Sequence, residues 1–306
     1  MIVRDKRNVA TLLFAWQGTI LPRVFPALVA VISISALVVY LSTHHYLDIP
    51  AVPAIGFTVF GIILSIFLSF RNNACYDRWW EGRKLWGALI ANSRHISRDS
   101  HVLPDALRRK MMFEVMIFSN LLKDRLRNQR LFFESTPAHH QALKRDLDLY
   151  AALQHNINPA QYILESIQKD LVQALKQGQI SDIIYSTLNT HIVALGNIQA
   201  GCDRIYGTPL PYSYSVLLHR TVYCFCLILP FSLEASLGIW TPVLVGLIAY
   251  LFLGLDALST QLEEPFGLQE NDLPLDSIVH LIESEILSSL GEALPVAFTA
   301  VKGNLT

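Results

Sequence analysis

Ile55, Val59, Ile62, Ile66 and Phe70 recur at intervals of three or four residues, and the same register runs on into Asn73 and Asp77. On an α-helix such a series lies along one face. Residues of these types make and break no bonds, but they control water. A narrow apolar ring gates by wetting and dewetting, and a polar mouth beside it tunes which ions enter. Ile and Phe facing lipid or neighbouring helices would also suit a membrane helix. Such a face, however, would not lead directly into Asn73 and Asp77 on the same side. One helix cannot enclose a water path, so the stripe implies symmetric copies about an axis.

Signatures of bond-making chemistry are missing from the sequence: HExxH, GxxxxGKS/T and GxSxG do not occur. The ten histidines are dispersed, where a metal-dependent enzyme would cluster them with carboxylates. The pairs His44-His45 and His139-His140 read as solvated loops, because adjacent histidines need further ligands to hold a metal. No metal site is assigned, no cofactor is expected, and the chain does not read as an enzyme. A secondary transporter would show internal repeats and broken helices, and neither is evident. Cys75, Cys202, Cys224 and Cys226 lack both zinc spacing and a disulfide framework and read as small buried hydrophobes.

The elements that would position the stripe follow from composition. Of 306 residues 52% are hydrophobic and only 16% charged, against about a quarter charged in soluble domains. No Lys or Arg lies between Arg23 and Arg71, or between Arg220 and Lys302. Four apolar segments are expected to cross a membrane: Pro26–Leu41, Pro53–Phe70, Ser215–Leu233 and Ile239–Leu255. Within the third, Arg220 must reach an interface or a protein partner. The loops 42–52 and 234–238 carry no Lys or Arg, whereas the N-terminus has four, so both termini and the long middle region are expected in the cytoplasm.

The chain is accordingly divided into 1–71 (the first two spans), a cytoplasmic helical domain at 72–214, spans three and four at 215–260, and a cytoplasmic segment at 261–306. In the middle region, stretches such as 106–126 and 159–177 have helical periodicity, with Pro159 suited to a first turn and Gly178 to a stop. Between Pro53 and Pro104 there is no proline, so the second span is expected to leave the membrane as a continuous helix unless Gly82 or Gly87 ends it. Trp79, Trp80 and Trp86 lie where interface anchors sit. Asp256, at the end of the fourth span, is expected to cap or to pair with an Arg.

At this point the residues resemble a known family. RNNACYDRWWEGRKLWGALIANSR at 71–94 resembles the segment after the pore helix of bestrophins, in their prokaryotic branch. LEEPFG at 262–267 resembles the family's acidic-Pro-Phe-Gly element, and PLPYSYSVLLHR at 209–220 its approach to the third span. The resemblance implies an all-α membrane protein with four transmembrane helices and a large cytoplasmic helical region, assembled as a pentamer around one axial pore. It implies a hydrophobic neck at Ile62, Ile66 and Phe70, a vestibule at Asn73 and Asp77, and a cytoplasmic aperture at Ile180.

The implied partners are monovalent ions, the lipid bilayer of a bacterial inner membrane and further copies of the chain, with no nucleic acid. The branch points to cations, with a chloride channel of the same family as the alternative. Asp77, Asp170 and Asp182 would favour cations if they face the axis, and Arg71, Arg78 and Arg83 would oppose them. After Pro-Phe-Gly, animal members carry consecutive acidic residues that help bind calcium. Here Glu270, Asp272 and Asp276 are scattered and read as solvated, so calcium activation is not expected. In LEEPFG, Pro265 is expected to end a helix and Gly267 to permit a tight turn.

Overall fold

A computed structural model describes residues 18–46, 54–128, 153 and 156–295. Helix α1 spans Leu21–Thr43 and opens with a proline in its first turn, where a missing N–H costs nothing. Helix α2 runs Ala54–Asp99 without a break and ends in a short 3-10 turn at Ser100–Val102. Next come α3 (Asp105–Leu126), α4 (Pro159–Lys176), α5 (Asp182–Gly207), α6 (Tyr212–Leu237), α7 (Thr241–Glu263) and α8 (Leu275–Ser289). No strand occurs among the described residues. His139 and His140 lie outside them.

The chain divides into two compact units. One holds the described residues up to Trp79 together with Pro209–Pro265, and the other the described residues of Trp80–Thr208 and of the chain from Phe266 onward. In the first, apolar unit, α1 packs on α6 and α7, which also pack on each other. Its core includes Val31, Leu64, Leu68, Val222, Phe225 and Val245. Phe225 lies between Phe60 and Phe252, with ring centroids 5.7 Å and 5.3 Å away. Among the described residues three stretches are long and apolar enough to cross a bilayer: Leu21–Thr43, Ile55–Val102 and Tyr212–Glu263. The last contains α6 and α7, separated by the 3-10 turn Gly238–Trp240. Gly238 there takes φ +48, which residues with a Cβ rarely adopt.

In the second, polar unit, α3 packs on α4, α5 and α8. Asn158 caps α4 by accepting from Gln161 N–H at 3.2 Å, directly before Pro159. Gly178, at φ +69, ends the helix as expected, with its N–H on the Leu175 carbonyl. α3 is buried almost all round, so its polar side chains need partners. Asn120 donates to Glu283 at 2.7 Å, and Glu114 accepts from Ser166 at 2.6 Å. Burial, with the carboxylates of Asp203 and Glu81 adding to it, pushes the Cys202 thiol up to about 12.

The expected continuous helix is present, and neither Gly82 nor Gly87 ends it; a Cβ at Gly82 would lie 3.1 Å from the Phe266 ring, so Gly82 makes room for packing. Other expectations are corrected. Gly267 has no left-handed backbone, and the turn around it needs none. Trp86 is fully buried in the polar unit and anchors no interface, while Trp80 is exposed. Cys75, Cys202 and Cys226 are buried, but Cys224 is exposed. Asp272 and Asp276 are not solvated. Asp272 is buried and accepts from Gln269 N–H at 2.7 Å, and Asp276 pairs with Arg127 at 2.6 Å and Lys123 at 3.0 Å.

Candidate pore-lining site

The first half of α2 has a sharply defined inner face. Leu64, Leu68, Arg71 and Cys75 follow a four-three-four spacing and are all buried in the apolar unit. Gly61 lets Phe225 approach on the same side. The predicted neck residues lie away from this face, with Ile62 56% exposed, Ile66 49% and Phe70 61%. They stand about 6 Å apart along the helix at its standard rise. Asn73 and Asp77 continue the stripe and are also exposed. The structure thus places all five on one open side of one helix. Exposure alone does not single them out, because the flanking Ile63 and Phe67 are open too. The stripe runs along the middle of that open side and is the part that turns polar.

Directly below Phe70, Arg71 lies on the opposite face in a cluster of charges. One Arg71 Nη donates to Asp256 Oδ1 at 2.5 Å, and the other to Thr260 Oγ1 at 3.2 Å with Glu263 Oε2 at 3.6 Å. The second Asp256 oxygen lies 2.6 Å from His219 Nδ1. Arg71 and Asp256 are 3% and 4% exposed. The expected pairing of Asp256 with an Arg is therefore present, and the partner comes from the helix that carries the predicted neck residues. Asp256, Thr260 and Glu263 repeat at four and three residues on α7, a polar face on an otherwise apolar segment. That spacing was the available sequence signal for the cluster. One turn further on, Arg78 Nε donates to the Glu263 carbonyl at 3.2 Å. Arg220 is exposed on α6.

In the polar unit, Ile180 is only 6% exposed and is held under the turn between α4 and α5. The exposed apolar side chain nearby is Ile183, at 79%, in the first turn of α5. Asp182 is open beside it, whereas Asp170 is engaged by Lys110 at 2.7 Å. Among the described residues no group of three His, Cys, Asp or Glu side chains could hold a metal ion.

The chain matches the bacterial/fungal bestrophin family over residues 1–288. It is 38% identical to the voltage-dependent anion channel-forming protein mll4386 of Mesorhizobium japonicum, over 99% of this chain and 96% of that protein. It is also 38% identical to the voltage-dependent anion channel-forming protein YneE of Escherichia coli K12, over 96% and 95% of the two chains. In structure it resembles a bacterial bestrophin homolog from Klebsiella pneumoniae, with a TM-score of 0.80 and 30% identity over 88% of this chain and 99% of that one.

Proposed function

We propose, on the premise that this chain belongs to the bacterial/fungal bestrophin family, that it forms a homopentameric channel for monovalent ions. The pore is an axial path necked by Ile62, Ile66 and Phe70. The observation that carries this reading is the polarity of α2, which buries Leu64, Leu68, Arg71 and Cys75 while leaving an apolar stripe open that ends in Asn73 and Asp77. An unassembled subunit would expose that stripe, whereas a ring of copies turns it inward. α1, the first part of α2, α6 and α7 serve as four spans of a bacterial inner membrane, with both termini and residues 72–214 and 261–306 in the cytoplasm. The cytoplasmic aperture is assigned to Ile180 at the turn between α4 and α5, with the exposed Ile183 beside it.

The channel favours cations. Asp77 is open at the vestibule, while Arg71 is paired with Asp256, which takes one cation out of the balance there. A second reading, anion conduction, is favoured by the names of the relatives, which are called anion channel-forming. Calcium is not required, since Asp272 and Asp276 are held by a backbone N–H and by two cations. Chelating calcium from both sides of a bilayer should leave the current unchanged; loss of current would contradict this. The neck is tested by Ile66→Ala and Phe70→Ala, which should each widen the ring and raise unitary conductance. Conductance unchanged in both would remove the neck from these residues.

A further inference from the structure

We infer that Arg71 is the positioning residue of the neck, a directional latch that sets the rotation of α2 about its own axis. The inference rests on the channel reading above and adds how the stripe is aimed.

Above Arg71, α2 is held on its own subunit mainly by apolar surfaces: Leu64 and Leu68 in the core, and Gly61 against Phe225. Such surfaces attract without direction. Within a bilayer they gain packing but little hydrophobic drive, so they tolerate a small turn of the helix. Among the described residues Tyr214 Oη donates to the Phe67 carbonyl at 3.2 Å, an exposed bond between this part of α2 and α6.

The Arg71 guanidinium behaves differently. Its planar fork addresses Asp256 and Thr260 together, each bond confined to a narrow range of angles. The acceptors are themselves fixed. Thr260 donates its own proton to the Asp256 carbonyl at 3.0 Å, so its oxygen lone pairs are left for Arg71. The outer oxygen of Asp256 is engaged by His219 of α6, and Glu263 Oε1 accepts the Leu210 N–H at 3.1 Å. The guanidinium is therefore referenced to α7, to α6 and to the chain entering α6. Both members of the central pair are buried, so separating them strands a charge.

Arg71 is the residue after Phe70. Any turn of the helix that the latch permits is a turn of the last neck ring, and a symmetric assembly repeats it in every copy. A buried leucine at this position would pack on α7 but would not fix an angle. Buried ion pairs often serve to specify one arrangement more than to stabilise it, and this pair sits where a specified angle matters for conduction.

The test is the unitary conductance of the full chain in planar bilayers, because a loss of stability lowers the number of channels without changing their amplitude. Arg71→Gln and Asp256→Asn should each shift the unitary amplitude from the wild-type value. Arg71→Lys, which keeps the charge but loses the fork, should fall between. Thr260→Val leaves the ion pair intact and removes one directional bond, so it should shift the amplitude in the same direction by less. Wild-type amplitude in both charge variants, with only fewer channels, would overturn the latch. Should those two fail to assemble, an unmoved amplitude in both Arg71→Lys and Thr260→Val would overturn it equally. A wild-type protein with no unitary currents would instead overturn the channel reading, and the latch with it.

Discussion

Single residues divide between those whose role shows in their type and those whose role depends on a distant partner. The stripe from Ile62 to Asp77 was legible because an α-helix converts spacing into direction, and the structure leaves those side chains open. Asp276 was not legible: scattered acids look solvated in a sequence, and Lys123 and Arg127 lie about 150 residues away from it. Burial alone would push the Asp276 carboxyl up, but Lys123 and Arg127 outweigh it and hold the group below its usual range. A lowered carboxylate contributes stability above its unfolded value, and that contribution is lost as pH falls through the folded value. Asp276→Asn strands the buried Arg127 and should destabilise by about 3 kcal/mol at neutral pH. The deficit should shrink in acid, where wild type loses the same pair. Thermal unfolding of both proteins at neutral and acid pH checks this; a deficit independent of pH would contradict it.

Among the elements, α2 carries the most information. Its continuity was readable from the missing prolines, but its length was not, because Gly82 and Gly87 are as plausible as stops as they are as packing sites. Which role applies depends on Phe266 and Leu273, contributed from far along the chain. A Cβ at Gly82 would meet the Phe266 ring at 3.1 Å and the Leu273 side chain at 3.2 Å. Gly82→Val should therefore overpack this contact and cost about 1–3 kcal/mol despite its gain in helix propensity. Thermal melting in detergent measures it, and Phe266→Leu in the same chain should recover part of the loss. A melting temperature unmoved by Gly82→Val would show that the glycine is not needed for close approach. The position of Ile180 was likewise hidden, since its sequence neighbourhood does not reveal which of Ile180 and Ile183 turns inward.

At the level of the whole molecule, composition pointed to a membrane protein, and the segment at 71–94 pointed to the family. The sign of the permeant ion was harder to read, because it depends on which charges face water. The structure buries Arg71 against Asp256 and leaves Asp77 open, a difference invisible in a near-neutral sequence. Cation conduction rests on a vestibule where Asp77 is open to water and Arg71 is paired with Asp256. The most direct measurement is the reversal potential of the purified, reconstituted protein across a potassium chloride gradient. A cation channel gives a reversal potential displaced toward the potassium equilibrium value. Displacement toward the chloride value, or no current at all, would contradict cation conduction.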